Sequence, residues 1–178
     1  MWTLKKPDPV KLIIGILGCD VDAVDAAVDM IKARFGPCDL ESPAWPFRHT
    51  EYYANEMGKE IVKKFITVEK LIAPDKLAAI KHTMNKMEAK LADVLDIDLS
   101  RPVNLDPGYI EPSKLVLAST KNFSHRIYIG KKIWAEVTLI FSKGRWTSFE
   151  YTFPDHKEDR YHDFFSQVRD KLVQQLRK

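Results

Sequence analysis

Between Ser124 and Tyr151 the chain reads SHRIYIGKKIWAEVTLIFSKGRWTSFEY, and this stretch most limits what the molecule can fold into. Three short runs alternate apolar with polar residues, separated by breaks at Gly130-Lys131-Lys132 and Ser142-Lys143-Gly144. Alternation between glycine-bearing breaks predicts a β-meander. A three-residue Ser-Lys-Gly loop with its glycine left-handed sets Phe141 beside Arg145, Leu139 beside Thr147 and Val137 beside Phe149. In the first hairpin a two-residue Gly-Lys loop would mix the faces. A loop centred on Lys131 instead keeps Ile127 and Ile129 on the face of Ile133, Ala135, Val137, Leu139 and Phe141. A slip of one residue turns that apolar set outward, so the odd loop is expected.

The other face then carries a polar row. Arg126 lies beside Glu136, and Glu136 beside Glu150; Tyr128 faces Trp134, Ile140 faces Trp146 and Thr138 faces Ser148. Directly opposed glutamates cost a sheet about 0.2–1 kcal/mol, so the pair calls for a cation: Arg126, a lysine from elsewhere, a metal or a cationic ligand. Crowding raises one carboxyl pKa, which makes Glu136 and Glu150 candidates for acid–base catalysis. As metal ligands without a histidine they favour a hard divalent cation such as Mg²⁺. Arg126 is the candidate for binding an anionic group. Asp106, Tyr109, Lys114, Lys121 and Asp155 are further candidates for lining such a site. His125 falls on the apolar parity and reads as a structural, hydrogen-bonded histidine.

A length of 178 residues suits a single domain. A charged fraction of 30% against 45% hydrophobic is that of a globular protein. The net charge is +3, but the lysines come as scattered pairs (Lys5-Lys6, Lys63-Lys64, Lys131-Lys132), not as the dense basic stripe of a duplex-DNA binder. The apolar run near the N-terminus is too short and glycine-broken to span a membrane and lacks a signal-cleavage pattern. Cys19 and Cys38 have no metal-ligand spacing and suit a reducing compartment. A cytosolic protein without a membrane partner is expected.

Val10 to Leu17, nearly all apolar, reads as a central strand covered on both faces. Asp20 is the N-cap of a following helix with Val24, Val28, Ile31 and Phe35 on one stripe, stopped at Gly36. Residues 37–58 are rich in prolines and aromatics (Trp45, Phe47, Tyr52, Tyr53) and read as an extended segment or edge strand, with Arg48, His49 and Tyr52 available to a cleft and a turn at Asn55–Gly58. Lys59 to Val68 is a strand. Pro74 opens a helix with Leu77, Ile80, Met84, Met87 and Leu91 buried, and His82, Lys86 and Lys90 solvated. Asp106-Pro107-Gly108 is a turn signal presenting Asn104, Asp106 and Tyr109 at a loop. Residues 113–120 fit strand or short helix, Pro112 tilting the choice to helix. The last helix starts near Glu158 or Asp159 and buries Tyr161, Phe164, Phe165, Val168, Leu172 and Leu176. The expected architecture is α+β: an antiparallel-rich sheet with helices packed on one face, residues 1–110 forming a ferredoxin-like half and 111–178 the meander plus the C-terminal helix.

The segments TEYYANEMG, VNLDPGY, SKLVLASTK, HRIYIG, AEVTLIF and FPDH, in that order, resemble the prokaryotic family called domain of unknown function 4416, over essentially the whole chain. The resemblance implies a compact prokaryotic cytosolic protein and transfers no activity. The chain has neither a P-loop nor an NKxD segment, so no nucleotide role is carried over. Three functions remain open. One is a small anionic-ligand or metal-dependent site on the polar meander face, catalytic or not. A second is a single-stranded RNA-binding module stacking bases on Tyr128, Trp134 and Trp146, which the two glutamates oppose. The third is a non-catalytic interaction protein whose aromatic face is a homo-oligomer interface.

Overall fold

The computed structural model describes residues 3–48 and 54–177, so His49, Tyr52 and Tyr53 lie outside the described residues. Strand β1 (Lys11–Gly18) is buried at every position. Such a strand needs cover on both faces, and it has it. On one side Leu12, Ile14 and Ile16 pack with helix α1 (Val21–Phe35) and helix α3 (Leu77–Val94) through Val24, Val28, Ile31, Ile80, Met84 and Leu91. On the other, Ile13 packs with helix α4 (Asp159–Leu176) through Tyr161, Phe164, Phe165, Val168 and Leu172. The α+β class holds, but α4 covers the face opposite α1 and α3, because a doubly buried strand leaves no face free for solvent.

Strands β2 (Cys38–Glu41), β3 (Trp45–Pro46), β4 (Val62–Val68), β5 (Val103–Glu111), β6 (Lys114–Ser119), β7 (Ile127–Tyr128), β8 (Trp134–Ser142) and β9 (Arg145–Ser148) complete a nine-stranded antiparallel sheet of order β2-β4-β1-β5-β6-β8-β7, with β3 on β4 and β9 on β8. The caps of α1 are those its sequence predicts: Asp20 Oδ1 accepts from Ala23 N–H at 2.7 Å, and Gly36 ends the helix at φ 95°. Residues 54–57 form a single helical turn, α2 (Ala54–Met57), where a turn was expected at Asn55–Gly58.

Asp106-Pro107-Gly108 lies inside β5 and not in a turn. The strand tolerates Pro107 because it stands where the β5–β6 ladder stops: pairing begins at Gly108↔Leu117 and runs to Glu111↔Lys114. A Cβ on Gly108 would lie 2.3 Å from the Val116 carbonyl oxygen, so only glycine allows this approach. Residues 114–119 are strand, not helix, joined to β5 by a tight hairpin at Pro112-Ser113.

The first meander hairpin has the odd-loop register, Ile127↔Ala135 and Tyr128↔Trp134. The second does not have the three-residue loop. Lys143 and Gly144 alone make the turn, both at positive φ (50° and 78°), and pair Phe141 with Trp146 and Leu139 with Ser148. A two-residue turn of this hand matches strand twist better than an open loop. It also swings Trp146 inward, where its ring meets Phe141 edge-on and its Nε1 donates to Ser166 Oγ of α4. A second departure lies in β8 itself. The β6–β8 register shifts between Leu115↔Leu139 and Val116↔Val137, a bulge that inserts Thr138 and exchanges the faces. Ile133, Ala135 and Val137 therefore pack toward α3, whereas Leu139 and Phe141 pack toward α4. Ile127 and Ile129, beyond the reach of either helix, stay exposed.

Candidate functional site

The polar row survives as a pair. Arg126 Nε donates to Glu136 Oε2 at 2.8 Å across the β7–β8 ladder, and its Nη1 donates to Ser119 Oγ and to the Lys121 carbonyl, both at 2.9 Å. His125 Nε2 lies 3.0 Å from the same Glu136 oxygen, and Thr138 Oγ1 donates to the other at 3.3 Å. His125 stacks on Tyr151 with centroids 4.0 Å apart. Burial and the nearby Glu136 charge push the Tyr151 phenol above its ordinary range; its hydroxyl donates to the Val137 carbonyl at 2.9 Å.

Glu150 is not part of this row. The β8–β9 ladder ends at Leu139↔Ser148, so Glu150 falls in an exposed turn while Glu136 is buried. The expected catalytic and metal-binding pair Glu136–Glu150 is therefore corrected: the shorter turn and the early end of β9 separate the two carboxylates. Among the described residues no three His, Cys, Asp or Glu side chains gather as a metal-ligand set.

Arg126 and Glu136 instead form one wall of a cavity of about 590 Å³. It lies on the α4 side of the sheet, past the N-terminal end of that helix. Its floor is Gly15 and Leu17 of β1, Lys63 and Phe65 of β4, Asn104 and Asp106 of β5, and Leu117 and Ser119 of β6. The single-turn 3₁₀ segment Pro154–Lys157, with Phe153 before it, closes one side, and Phe47 another. The sheet extends further than α4 can cover, and the remainder is roofed by this turn.

Where β5 and β6 part, the floor is held from α3. The Leu105 N–H donates to Glu88 Oε1 at 2.8 Å, and Lys81 Nζ donates to the Leu105 carbonyl at 2.7 Å. Side chains of α3 thus take the place of the missing strand. Lys81 also donates to Asp106 Oδ1 at 3.2 Å, Asn104 Nδ2 donates to Asp106 Oδ2 at 2.7 Å, and Arg101 bonds Asn104 Oδ1 and Glu88. Burial works to raise the Asp106 pKa, but Lys81 and Lys63 outweigh it and hold the group below the ordinary carboxylate range.

Across the floor, Lys63 Nζ donates to Asp155 Oδ2 at 2.9 Å, with both side chains nearly sealed from solvent. The ammonium also lies over the Phe47 and Phe65 rings, 5.6 and 5.2 Å from their centroids. The other Asp155 oxygen is 3.1 Å from His156 Nδ1. Burial pushes the Asp155 carboxyl up, yet Lys63 and His156 prevail and hold it far below its usual range.

The structure thus brings five expected residues to one cavity: Arg126, Glu136, Asp106, Lys121 and Asp155. It leaves three outside. Glu150 is in the exposed turn. Tyr109 points to the opposite face and packs against the Leu77, Val116 and Ile133 cluster. Lys114 pairs with Glu111 at 2.7 Å at the far end of the β5–β6 hairpin. Of the three rings expected as a stacking platform, Trp146 is buried against α4, and only Tyr128 and Trp134 remain together, with centroids 5.5 Å apart. Lys63, Lys81, Arg101 and His156 line the cavity without having been singled out from the sequence. A signal for Lys63 was present: in VKKFITV it shares the parity of Phe65 and Thr67, so one lysine of the pair had to face inward. Lys81 stands four residues after Leu77 and three before Met84, at the edge of the apolar stripe, so its spacing also pointed inward.

No helix among the described residues is long and apolar enough to cross a membrane. The family model of the Domain of unknown function (DUF4416) matches residues 8–172. Searches of curated proteins and of solved structures found no match. The chain belongs to the DUF4416 family.

Proposed function

We propose that this member of the family binds a small anionic molecule in the cavity between the sheet and the Pro154–Lys157 turn. The observation that carries the reading is the lining: Lys63, Lys81, Arg101, Lys121 and Arg126 against Asp106, Glu136 and Asp155. Each carboxylate steadies one cation, Asp155 with Lys63, Asp106 with Lys81 and Glu136 with Arg126, and Arg101 is held by Glu88. Ordered cations in a concave, partly apolar enclosure of this size are what a small charged ligand requires. The sheet order β2-β4-β1-β5 around α1 and α3 supports a ferredoxin-like reading of the first half, with the site laid across that half and the meander.

The test is a thermal-shift and calorimetric screen of small carboxylates, sulfate and phosphate esters on the wild-type chain. A ligand of this cavity raises the melting temperature as its concentration passes Kd, and Arg126→Met weakens it at least tenfold. A screen in which no anion shifts the transition sinks the proposal.

A second reading, assembly through the meander edge, rests on the exposed side chains of Phe123, Ile127, Tyr128 and Ile129 beside edge strand β7. Sedimentation of wild type against Ile127→Lys decides it: a monomer at micromolar concentration in both removes it.

A further inference from the structure

Asp155 orients two side chains at once. One oxygen accepts from Lys63 Nζ, the other faces His156 Nδ1. Beside an ionised carboxylate Nδ1 is the donor, which makes Nε2 the free end of the imidazole. Nε2 has no hydrogen-bond partner among the described residues, although only 5% of His156 is exposed. The sealed side-chain polar atom without a partner is the Tyr161 hydroxyl, not Nε2, and His156 lines the cavity. Lys63 is similar. It is 4% exposed, and its ammonium has three donors, of which one is given to Asp155. The rings of Phe47 and Phe65 flank it without accepting a conventional hydrogen bond. Buried polar groups are almost always paired. Two with unspent capacity, aligned by one carboxylate, meet at the wall of one cavity.

We infer that Lys63 and His156 together receive the oxyanion head group of the ligand, a carboxylate or a tetrahedral oxyanion, and that His156 takes a proton from solvent as it binds. This rests on the anionic-ligand reading of the cavity. An unprotonated Nε2 presents a lone pair and repels an oxyanion; the protonated nitrogen donates a charge-assisted hydrogen bond. Proton uptake on binding is therefore the signature of this contact. The groups facing His156 are Asp155 of its own turn, Lys63 of β4, and Tyr161 and His162 of α4, with the rings of Phe65 and Phe165 packed on it.

The experiment is isothermal titration of the full chain with sulfate and, separately, with oxalate, probes that keep their charge between about pH 8 and pH 6, the span where imidazoles titrate. Each is measured in two buffers of different ionisation enthalpy. The wild type binds at least one probe several-fold tighter at the acid end, with proton uptake seen in the buffer dependence of the heat. His156→Gln removes both effects, while His162→Gln, changed at the neighbouring imidazole, keeps them. Stronger binding of sulfate assigns a tetrahedral head group, and of oxalate a planar one. Binding without proton uptake, or with a pH dependence that survives His156→Gln, overturns this inference and leaves the cavity an anion site. Failure of both probes to bind at the acid end overturns the inference and the anion reading together. The wild-type proton uptake decides the matter even where His156→Gln folds poorly.

Discussion

Arg126 and Glu136 form an ion pair across the β7–β8 ladder, Nε to Oε2 at 2.8 Å, with 11% and 3% of their side chains exposed. A pair so withdrawn from water gains stability only if its remaining lone pairs and protons are also met. Ser119 and the Lys121 carbonyl accept from Nη1 of the guanidinium, and His125 and Thr138 serve the carboxylate. The pair ties the two-residue edge strand β7 to the body of the sheet and forms one wall of the cavity.

Arg126→Met leaves Glu136 buried without its cation and costs about 3 kcal/mol of unfolding free energy, the scale for breaking one side of a buried pair. Joint replacement of Arg126 and Glu136 by methionine costs less than the two single changes added. Urea unfolding of the four proteins measures this coupling. A single-mutant cost under about 1 kcal/mol would show the pair to be solvent-screened.

Asp155 makes stability depend on acid. Its folded pKa is depressed by Lys63 and His156, whereas in the unfolded chain it titrates near the ordinary value of about 3.9. The contribution is therefore complete at neutral pH and is lost as pH falls from about 4 toward the folded pKa. Asp155→Asn removes that contribution at pH 7 and flattens the acid limb. Urea midpoints of both proteins from about pH 7 down to pH 2.5 test it. Parallel acid limbs would mean that other carboxylates dominate.

Elements whose pattern is local were legible in the sequence. The caps and stripe of α1, the stripes of α3 and α4, and the odd-loop register that sets Arg126 beside Glu136 all follow from spacing alone. What misled was structure decided at a distance. The second hairpin takes its register from the burial of Trp146 under Phe165 and Ser166 of α4, which the meander does not reveal by itself. The Thr138 bulge answers to the β6 pairing. Pro107 looked like a turn because the end of the β5–β6 ladder, where a missing N–H is harmless, depends on Glu88 and Lys81 of α3. The cavity gathers its lining from five strands (β1, β4, β5, β6 and β8), helix α3, the Pro154–Lys157 turn and the loops between them, so its charged groups are scattered along the chain.

The hairpin tips carry removable strain. Lys131, Lys132 and Lys143 adopt positive φ of 54°, 60° and 50°, a region that costs an ordinary side chain roughly 1 kcal/mol and suits asparagine and glycine better. Lys143→Asn is expected to stabilise the fold by about 0.5 kcal/mol and Lys132→Gly by a similar amount. Thermal unfolding of each variant measures the gain. A loss at Lys143 would contradict the two-residue turn and the register built on it.

Gly15 bears on the cavity directly. It is a buried strand residue, and a Cβ there would sit 3.2 Å from Phe65 Cε1 and 3.6 Å from Lys63 Cε. Those contacts are tight but yield to a small shift of a ring edge and a flexible stem, so the strand accepts a modest side chain at little net cost. Replacing glycine also lowers the entropy of the unfolded chain, which offsets part of the crowding. The volume added would lie on the floor beside Lys63, where the head group of a bound anion is placed above. Gly15→Val is thus expected to change unfolding free energy by less than about 2 kcal/mol, within the range for modest overpacking, while lowering affinity for a cavity-bound anion at least tenfold. Calorimetric titration beside urea unfolding separates the two effects. Unchanged affinity in a folded Gly15→Val protein would place the anion elsewhere than over β1.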